Sequence, residues 1–353
     1  MSFIKISYIF PHIFYIIQQN FLSYLLVEKY AKLYMWILKT AYKICTYYIF
    51  CNSLLRNNEG SNLMNSLLSA EDNNFPFKFQ EYEPQLYDIR SHILHFYSNI
   101  KDLDLSTKAE ANLSDLYEIF SELDELGHRD VAEDLCQALL RDPLIRSLLP
   151  AVYTSYTHFF SLHETHLARK ILDCKEPWEM LESFPLYSRY EDMIKTHVQN
   201  SPKIEVLAFI GCGPLPVTLL IFSKLYGIRC IGVDKDPEAV VLAKSCVKHF
   251  GLEKEISIVE GDENILAELD WDSVLVAGLA EPKQRIFRNL HSIIKNRKSE
   301  PENPTSVCYR NYSGMRQLLY WPVQPDQTTG FRKITEIYPS GKVNNTLVFM
   351  ECE

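Results

Sequence analysis

From Pro202 onward short β-branched runs alternate with helical stretches, and this alternation constrains the fold more than any other feature of the chain. The runs at residues 204–210, 228–233, 256–259 and 274–277 are separated by amphipathic segments, the βαβ rhythm of a doubly wound, mostly parallel sheet. Later runs at 306–310, 333–338 and 346–350 raise the expectation to seven strands, and the polar turn Pro339-Ser340-Gly341-Lys342 permits a terminal antiparallel hairpin. Residues 201–353 are therefore expected to form one α/β domain.

Upstream the texture is helical. Leu113, Leu116, Phe120 and Leu123 make the stripe of an amphipathic helix, and Gly127 suits its C-cap. A second helix is expected between Asp130 and Pro143, and a third over residues 148–172. Residues 64–200 thus read as a helical domain preceding the sheet.

Residues 1–63 read differently. Up to Arg56 they carry six basic residues and one acid, in a chain whose net charge is −9. Residues 6–27 lack charge and are long enough to span a bilayer, although Pro11, His12 and Gln18-Gln19-Asn20 interrupt them. Membrane association depends on that stretch being a real anchor. The Phe, Ile, Tyr, Lys and Asn bias also matches translated AT-rich upstream DNA, so the functional chain is expected to start near Met64. The acidic balance argues against a nucleic-acid partner, since phosphate binding needs clustered cations. Nine cysteines without a CxxC pair fit reduced thiols in a cytoplasmic protein better than a zinc ribbon or a disulfide framework.

The first strand runs into Phe209-Ile210-Gly211-Cys212-Gly213-Pro214-Leu215-Pro216, with an apolar helix behind it. Paired glycines at a strand-to-helix turn let a ligand approach the backbone, and the helix start supplies free N–H groups. Asp234 ends the second strand about 20 residues later, where a carboxylate can accept ribose hydroxyls. Asp262 follows the third strand, and acids at both places resemble the S-adenosylmethionine-binding fold, in which the second acid meets the adenine. A dinucleotide would favour a third glycine where Pro216 stands. Cofactor candidates are Gly211, Gly213, Pro214 and Leu215 on the turn, Asp234, Asp262 and Glu263 at the strand ends, and Ala277 at the end of the fourth strand run. For Glu263 and Asp236, solvated surface charge is the plain alternative.

Four motifs in order, the glycine turn, Gly278-Leu279-Ala280-Glu281-Pro282-Lys283, Tyr309-Arg310-Asn311-Tyr312-Ser313-Gly314-Met315-Arg316 and Pro339-Ser340-Gly341-Lys342-Val343-Asn344-Asn345-Thr346, resemble nicotianamine synthase in its archaeal-type short form. Pro177-Trp178-Glu179 and the stretch from Phe184 to Tyr190 are similar to that family's helical signature. The resemblance implies a Rossmann-like, S-adenosylmethionine-dependent methyltransferase-type seven-stranded sheet with an N-terminal helical domain. It also implies transfer of the 3-amino-3-carboxypropyl group of S-adenosylmethionine to a small amino-acid acceptor, releasing methylthioadenosine and making a metallophore, with no metal in the chemistry. A small-molecule methyltransferase and a non-catalytic S-adenosylmethionine sensor remain the alternatives.

Such a transfer needs an uncharged amine, so a base is expected near the pocket. On the 148–172 helix Phe160, Glu164, Leu167 and Ile171 share one stripe, which puts a carboxylate on an apolar face. Burial would raise its pKa, and pairing with Arg169 or Arg189 is the plain alternative. The resemblance places the family's helical glutamate at or near Glu164 and His166; His166 and His163 otherwise read as surface histidines. Tyr190 matches a family tyrosine able to relay a proton or orient the amine. Arg310 and Arg316, flanking Tyr312 after a strand, are candidates to clamp a carboxylate, and Asn344 is a candidate substrate contact or a turn residue.

Overall fold

The computed structural model describes residues 79–101, 113–297 and 305–353, and residues 1–63, with both readings made of them, lie outside that set. Residues Lys78–Glu353 form one compact unit. No helix among the described residues is long and apolar enough to cross a membrane.

Helices open the unit: α1 (Phe79–Ile100), α2 (Leu113–Gly127), α3 (Glu133–Arg141), α4 (Pro143–Asp173), α5 (Pro177–Glu182) and α6 (Tyr187–Asn200). The helix expected over 148–172 starts earlier, at Pro143. Asp142 caps it, its carboxylate accepting from the Leu144 and Ile145 amides, and Pro143 sits in the first turn where it has no bond to lose. The proline before which α3 ends, as expected, also starts α4. Gly127 is not a left-handed cap either, because its φ is not positive. A Cβ there would lie 3.2 Å from the Leu319 side chain, so close packing is what requires glycine.

Beyond α6 come β1 (Val206–Ile210), α7 (Val217–Tyr226), β2 (Arg229–Asp234), α8 (Pro237–His249), β3 (Ile256–Glu260), β4 (Ser273–Val276), α9 (Lys283–Asn296), β5 (Ser306–Asn311), β6 (Phe331–Ile337) and β7 (Thr346–Cys352). All seven strands join one sheet in the order β3-β2-β1-β4-β5-β7-β6. Pairing is parallel from β3 to β5, with Ile210 opposite both Val233 and Val276, whereas β7 runs antiparallel to β5 and β6. The chain leaves β1 toward β2 and later returns to β4 on its other side, so the strand order reverses between β1 and β4. A crevice opens above the carboxyl ends at such a reversal.

Two cores cover the sheet. On one face Leu207, Phe209 and Leu275 pack with Leu219, Leu220 and Phe222 of α7, Ala243 of α8 and Ile194 of α6; on the other, Val274 and Val276 meet Phe287 and Leu290 of α9. A third core fills the helical half with Phe96, Phe120, Leu139, Val152 and Phe159, and Tyr312, Met315, Leu319 and Tyr320 from the segment after β5 are part of it. Burying these residues removes apolar area worth about 25 cal/mol per Å² and clamps the helices over the carboxyl edge of the sheet.

Candidate active site

A cavity of about 1240 Å³ lies beneath the helices at that edge. It exceeds the roughly 300–1,000 Å³ of an ordinary small-ligand site, so it has room for more than one reactant. Its floor is the glycine turn. Gly211 and Gly213 have φ of +80° and +68°, a region side chains avoid, and the Gly211 and Cys212 amides bond back to the Val233 carbonyl. The turn therefore bends tightly while Pro214 and Leu215 carry it into α7.

Asp234 and Asp262 stand at the ends of β2 and β3 as expected, both lining the cavity. Asp234 braces the turn, its Oδ2 accepting the Gly213 amide at 2.8 Å and its Oδ1 the Asp236 amide at 3.0 Å. Asp236 caps α8 through the Glu238 amide. Asp262 accepts the Asn264 amide at 3.1 Å. Glu263 lines the cavity too, and it is not the solvated surface charge considered as its alternative. Only 1% exposed, its carboxylate is held by Arg285 at 3.0 and 3.1 Å and by Asn289 at 2.8 Å, so it ties α9 to the sheet. Ala277 lines the cavity opposite the turn.

Glu164 descends from α4 onto the turn. A Cβ on Gly213 would lie 2.7 Å from Glu164 Oε2, so any side chain there would push the carboxylate off the turn. No ion pair reaches Glu164 among the described residues, because Arg189 pairs with Asp124 and Arg169 is exposed. Burial, reinforced by the charge of Asp234 and opposed by Arg310, pushes its pKa up to about 8. Tyr190 lines the same cavity, its hydroxyl raised well above the ordinary value by burial and by Glu164. It stays protonated and can donate. His166 also lines the cavity, but His163 does not. The expectation of a surface His163 is wrong: the ring is 2% exposed, bonded to the Tyr117 hydroxyl and enclosed by Phe159, Phe160 and Phe184, and burial lowers its pKa to about 4.

Arg310 is 7% exposed, donates to Thr218 Oγ1 at 2.8 Å and lies over the Phe209 ring at 5.1 Å. Its buried Nε has no partner, whereas the Asn345 side chain is hydrogen-bonded to the Tyr312 hydroxyl. Arg310 and Asn345 both line the cavity, and the free Nε suits a ligand bearing hydrogen-bond acceptors. Tyr312 is beside them, burial holding its hydroxyl up at about 12. Arg316 is not part of the cavity wall. Its guanidinium donates to the Val343 carbonyl at 2.8 Å and the Gly341 carbonyl at 3.0 Å, which shapes the loop carrying Asn344.

Asn344 belongs to a network that sequence reasoning missed. Its Nδ2 donates to Asp124 at 2.9 Å and to the Tyr156 hydroxyl at 3.2 Å, and its Oδ1 lies 2.6 Å from His128 Nε2. Asp124, His128, Tyr156, Arg189 and Asn344 come from four stretches far apart in sequence, and no spacing signal could have joined them. Tyr156 and Glu164 are eight residues apart on α4, about 12 Å along the axis. The cavity thus has one end at Asp234 and Asp262, another at Tyr156 and Asn344, and Glu164 between them. Among the described residues no cluster of three or more His, Cys, Asp or Glu is arranged to hold a metal ion.

Comparison with known proteins agrees with this geometry. The family described as nicotianamine synthase protein matches residues 86–353. An L-histidine 2-aminobutanoyltransferase of Pseudomonas aeruginosa is 25% identical over 207 residues, covering 57% of this chain and 73% of its own. A nicotianamine synthase of Solanum lycopersicum is 24% identical over 203 residues, covering 53% and 61%. Among solved structures, a glutamate-to-glutamine variant of MtNAS in complex with S-adenosylmethionine superimposes with a TM-score of 0.67 at 31% identity, over 74% of this chain and 98% of that one. MtNAS in complex with MTA and tNA gives a TM-score of 0.67 at 29% identity, over 79% and 100%.

Proposed function

This chain belongs to the nicotianamine synthase family, and from that premise we propose that it transfers the 3-amino-3-carboxypropyl group of S-adenosylmethionine to the amine of a small amino acid, giving methylthioadenosine and a nicotianamine-like chelator. The observation that carries the reading is Glu164: an unpaired carboxylate with its pKa at about 8, lying on the glycine turn of a cavity large enough for two reactants.

S-adenosylmethionine, when bound, supplies a sulfonium whose amino-acid arm is open to attack and whose thioether leaves neutral. The glycine turn and the acids Asp234 and Asp262 fit its nucleoside, while Arg310 offers a free donor to a carboxylate. Because the leaving group needs no proton, the chain's chemical task lies with the acceptor. An amine arrives mostly as ammonium, and a carboxylate with a pKa near neutrality is matched to removing its proton. Glu164 accepts that proton, and Tyr190 donates a hydrogen bond that orients the reacting groups; His166 is the reserve base on the same helix. The helices exclude water, which strengthens these interactions. The acceptor's reacting amine sits at Glu164, and the rest of that molecule extends toward Tyr156, Arg189 and Asn344, which line the same cavity about 12 Å farther along α4 by helix rise. Its partner set is small molecules, and the free cysteines of the described residues agree with a reducing, cytoplasmic setting.

Incubating the purified chain with S-adenosylmethionine, alone and with glutamate or histidine, and weighing the products tests the reading. Methylthioadenosine with a mass-matched aminocarboxypropyl adduct is expected. S-adenosylhomocysteine as the nucleoside product would make the chain a methyltransferase instead, and binding without any product would make it a sensor.

A further inference from the structure

Lys283 breaks several local rules at once. It is the first residue of α9, where the helix dipole disfavours a cation, and it is 3% exposed, where desolvation disfavours one too. Burial lowers its pKa to about 8 in spite of the neighbouring Glu281. A residue retained against such costs has a task in the fold or the site.

Its contacts identify the task. Nζ donates to the Gly278 carbonyl at 2.9 Å and to the Ala280 carbonyl, with Glu281 Oε1 at 3.5 Å. Those carbonyls belong to the segment after β4, whose residues Ala277, Gly278, Leu279 and Ala280 all line the cavity. Lys283 itself is not among the lining residues, so it holds the wall from behind. In front there is no slack: a Cβ at Gly278 would lie 3.2 Å from Asn345 Nδ2 and from the Tyr312 hydroxyl, and one at Gly211 would lie 2.9 Å from the Ala280 methyl. The segment is wedged between the ammonium and both halves of the site.

We propose that Lys283 is a positioning residue of the transfer reaction: by tying back the Gly278 and Ala280 carbonyls it keeps the wall seated against Tyr312 and Asn345, and so aims the amino-acid arm of the bound sulfonium substrate toward the acceptor. This inference rests on the aminocarboxypropyl-transfer reading. The nucleoside end does not depend on the ammonium, because the Gly211 amide and the Asp234 carboxylate are anchored by their own bonds to the turn. The arm end depends on Gly278, whose carbonyl the Lys283 ammonium holds.

The test compares two ligands by calorimetry, S-adenosylmethionine and methylthioadenosine, which lacks the amino-acid arm. Lys283→Met is expected to weaken S-adenosylmethionine about tenfold, the scale of one lost hydrogen bond to a charged group, with methylthioadenosine unchanged within about twofold. Lys283→Arg, which keeps charge and donors, is expected to recover part of that loss. Equal weakening of both ligands, no weakening of either, or an arginine variant no better than the methionine one would each overturn the assignment. Product analysis on the wild type reads the transfer activity separately, so failure of that reading is seen without the variants.

Discussion

Glu164 gives the sharpest quantitative expectation. With its pKa at about 8 in the unliganded protein, the carboxyl is about nine-tenths protonated at pH 7. A positive charge about 5 Å away at an effective dielectric of about 20 is worth roughly 3 kcal/mol, or about 2 pKa units. A bound sulfonium therefore lowers Glu164 to about 6, so roughly 0.8 proton leaves the protein per S-adenosylmethionine bound at pH 7. The substrate's own charge arms the base. Binding enthalpies measured in two buffers of different ionisation enthalpy give this number directly. Release is expected to be largest near pH 7, to fade by pH 9, to be absent for methylthioadenosine, whose sulfur is neutral, and to vanish in Glu164→Gln. No buffer dependence in the wild type, or equal release from Glu164→Gln, would refute the argument. The same shift affects stability with a definite sign. The folded pKa is raised above the ordinary 4.5, so the fold gains from the extra proton fully below that value and loses the gain as pH rises through about 8. The apo protein's melting temperature should fall over that interval, and less so in Glu164→Gln.

Gly213→Ala places a methyl 2.7 Å from Glu164 Oε2 at a φ of +68°. It is expected to cost about 1–2 kcal/mol of stability and to depress turnover more than methylthioadenosine affinity, checked by melting and steady-state assays. Glu263→Ala removes the anchor bonded to Arg285 and Asn289, so the melting temperature should drop by an amount equivalent to about 1–3 kcal/mol, with S-adenosylmethionine affinity unchanged. A large loss of affinity without destabilisation would return Glu263 to the ligand site.

What could be read without coordinates was local. The strand rhythm after Pro202, the glycine bend from Gly211 to Gly213 and the acids Asp234 and Asp262 are specified within single βα units, where chain neighbours set the geometry. Glu164 on an apolar stripe belongs here too, because helix periodicity alone turns it inward. The misreadings have the opposite character. His163 and Glu263 are polar residues whose burial depends on distant partners, Tyr117 for one and Arg285 with Asn289 for the other. Arg316 shares a motif with Arg310 yet faces loop carbonyls, since side-chain direction after a strand is decided by what packs above it.

The amino-acid order alone therefore determined the layered sheet, the nucleotide-type turn and the presence of an inward carboxylate, all products of short-range periodicity and backbone freedom. Tertiary structure decided which groups share the cavity and what braces them: Tyr156 and Asn344 with Asp124 bonded to Asn344, the free Nε of Arg310, and the Lys283 ammonium tied to the Gly278 carbonyl. Those relations depend on desolvation and on contacts between segments up to about two hundred residues apart, and a folded core is what sets both.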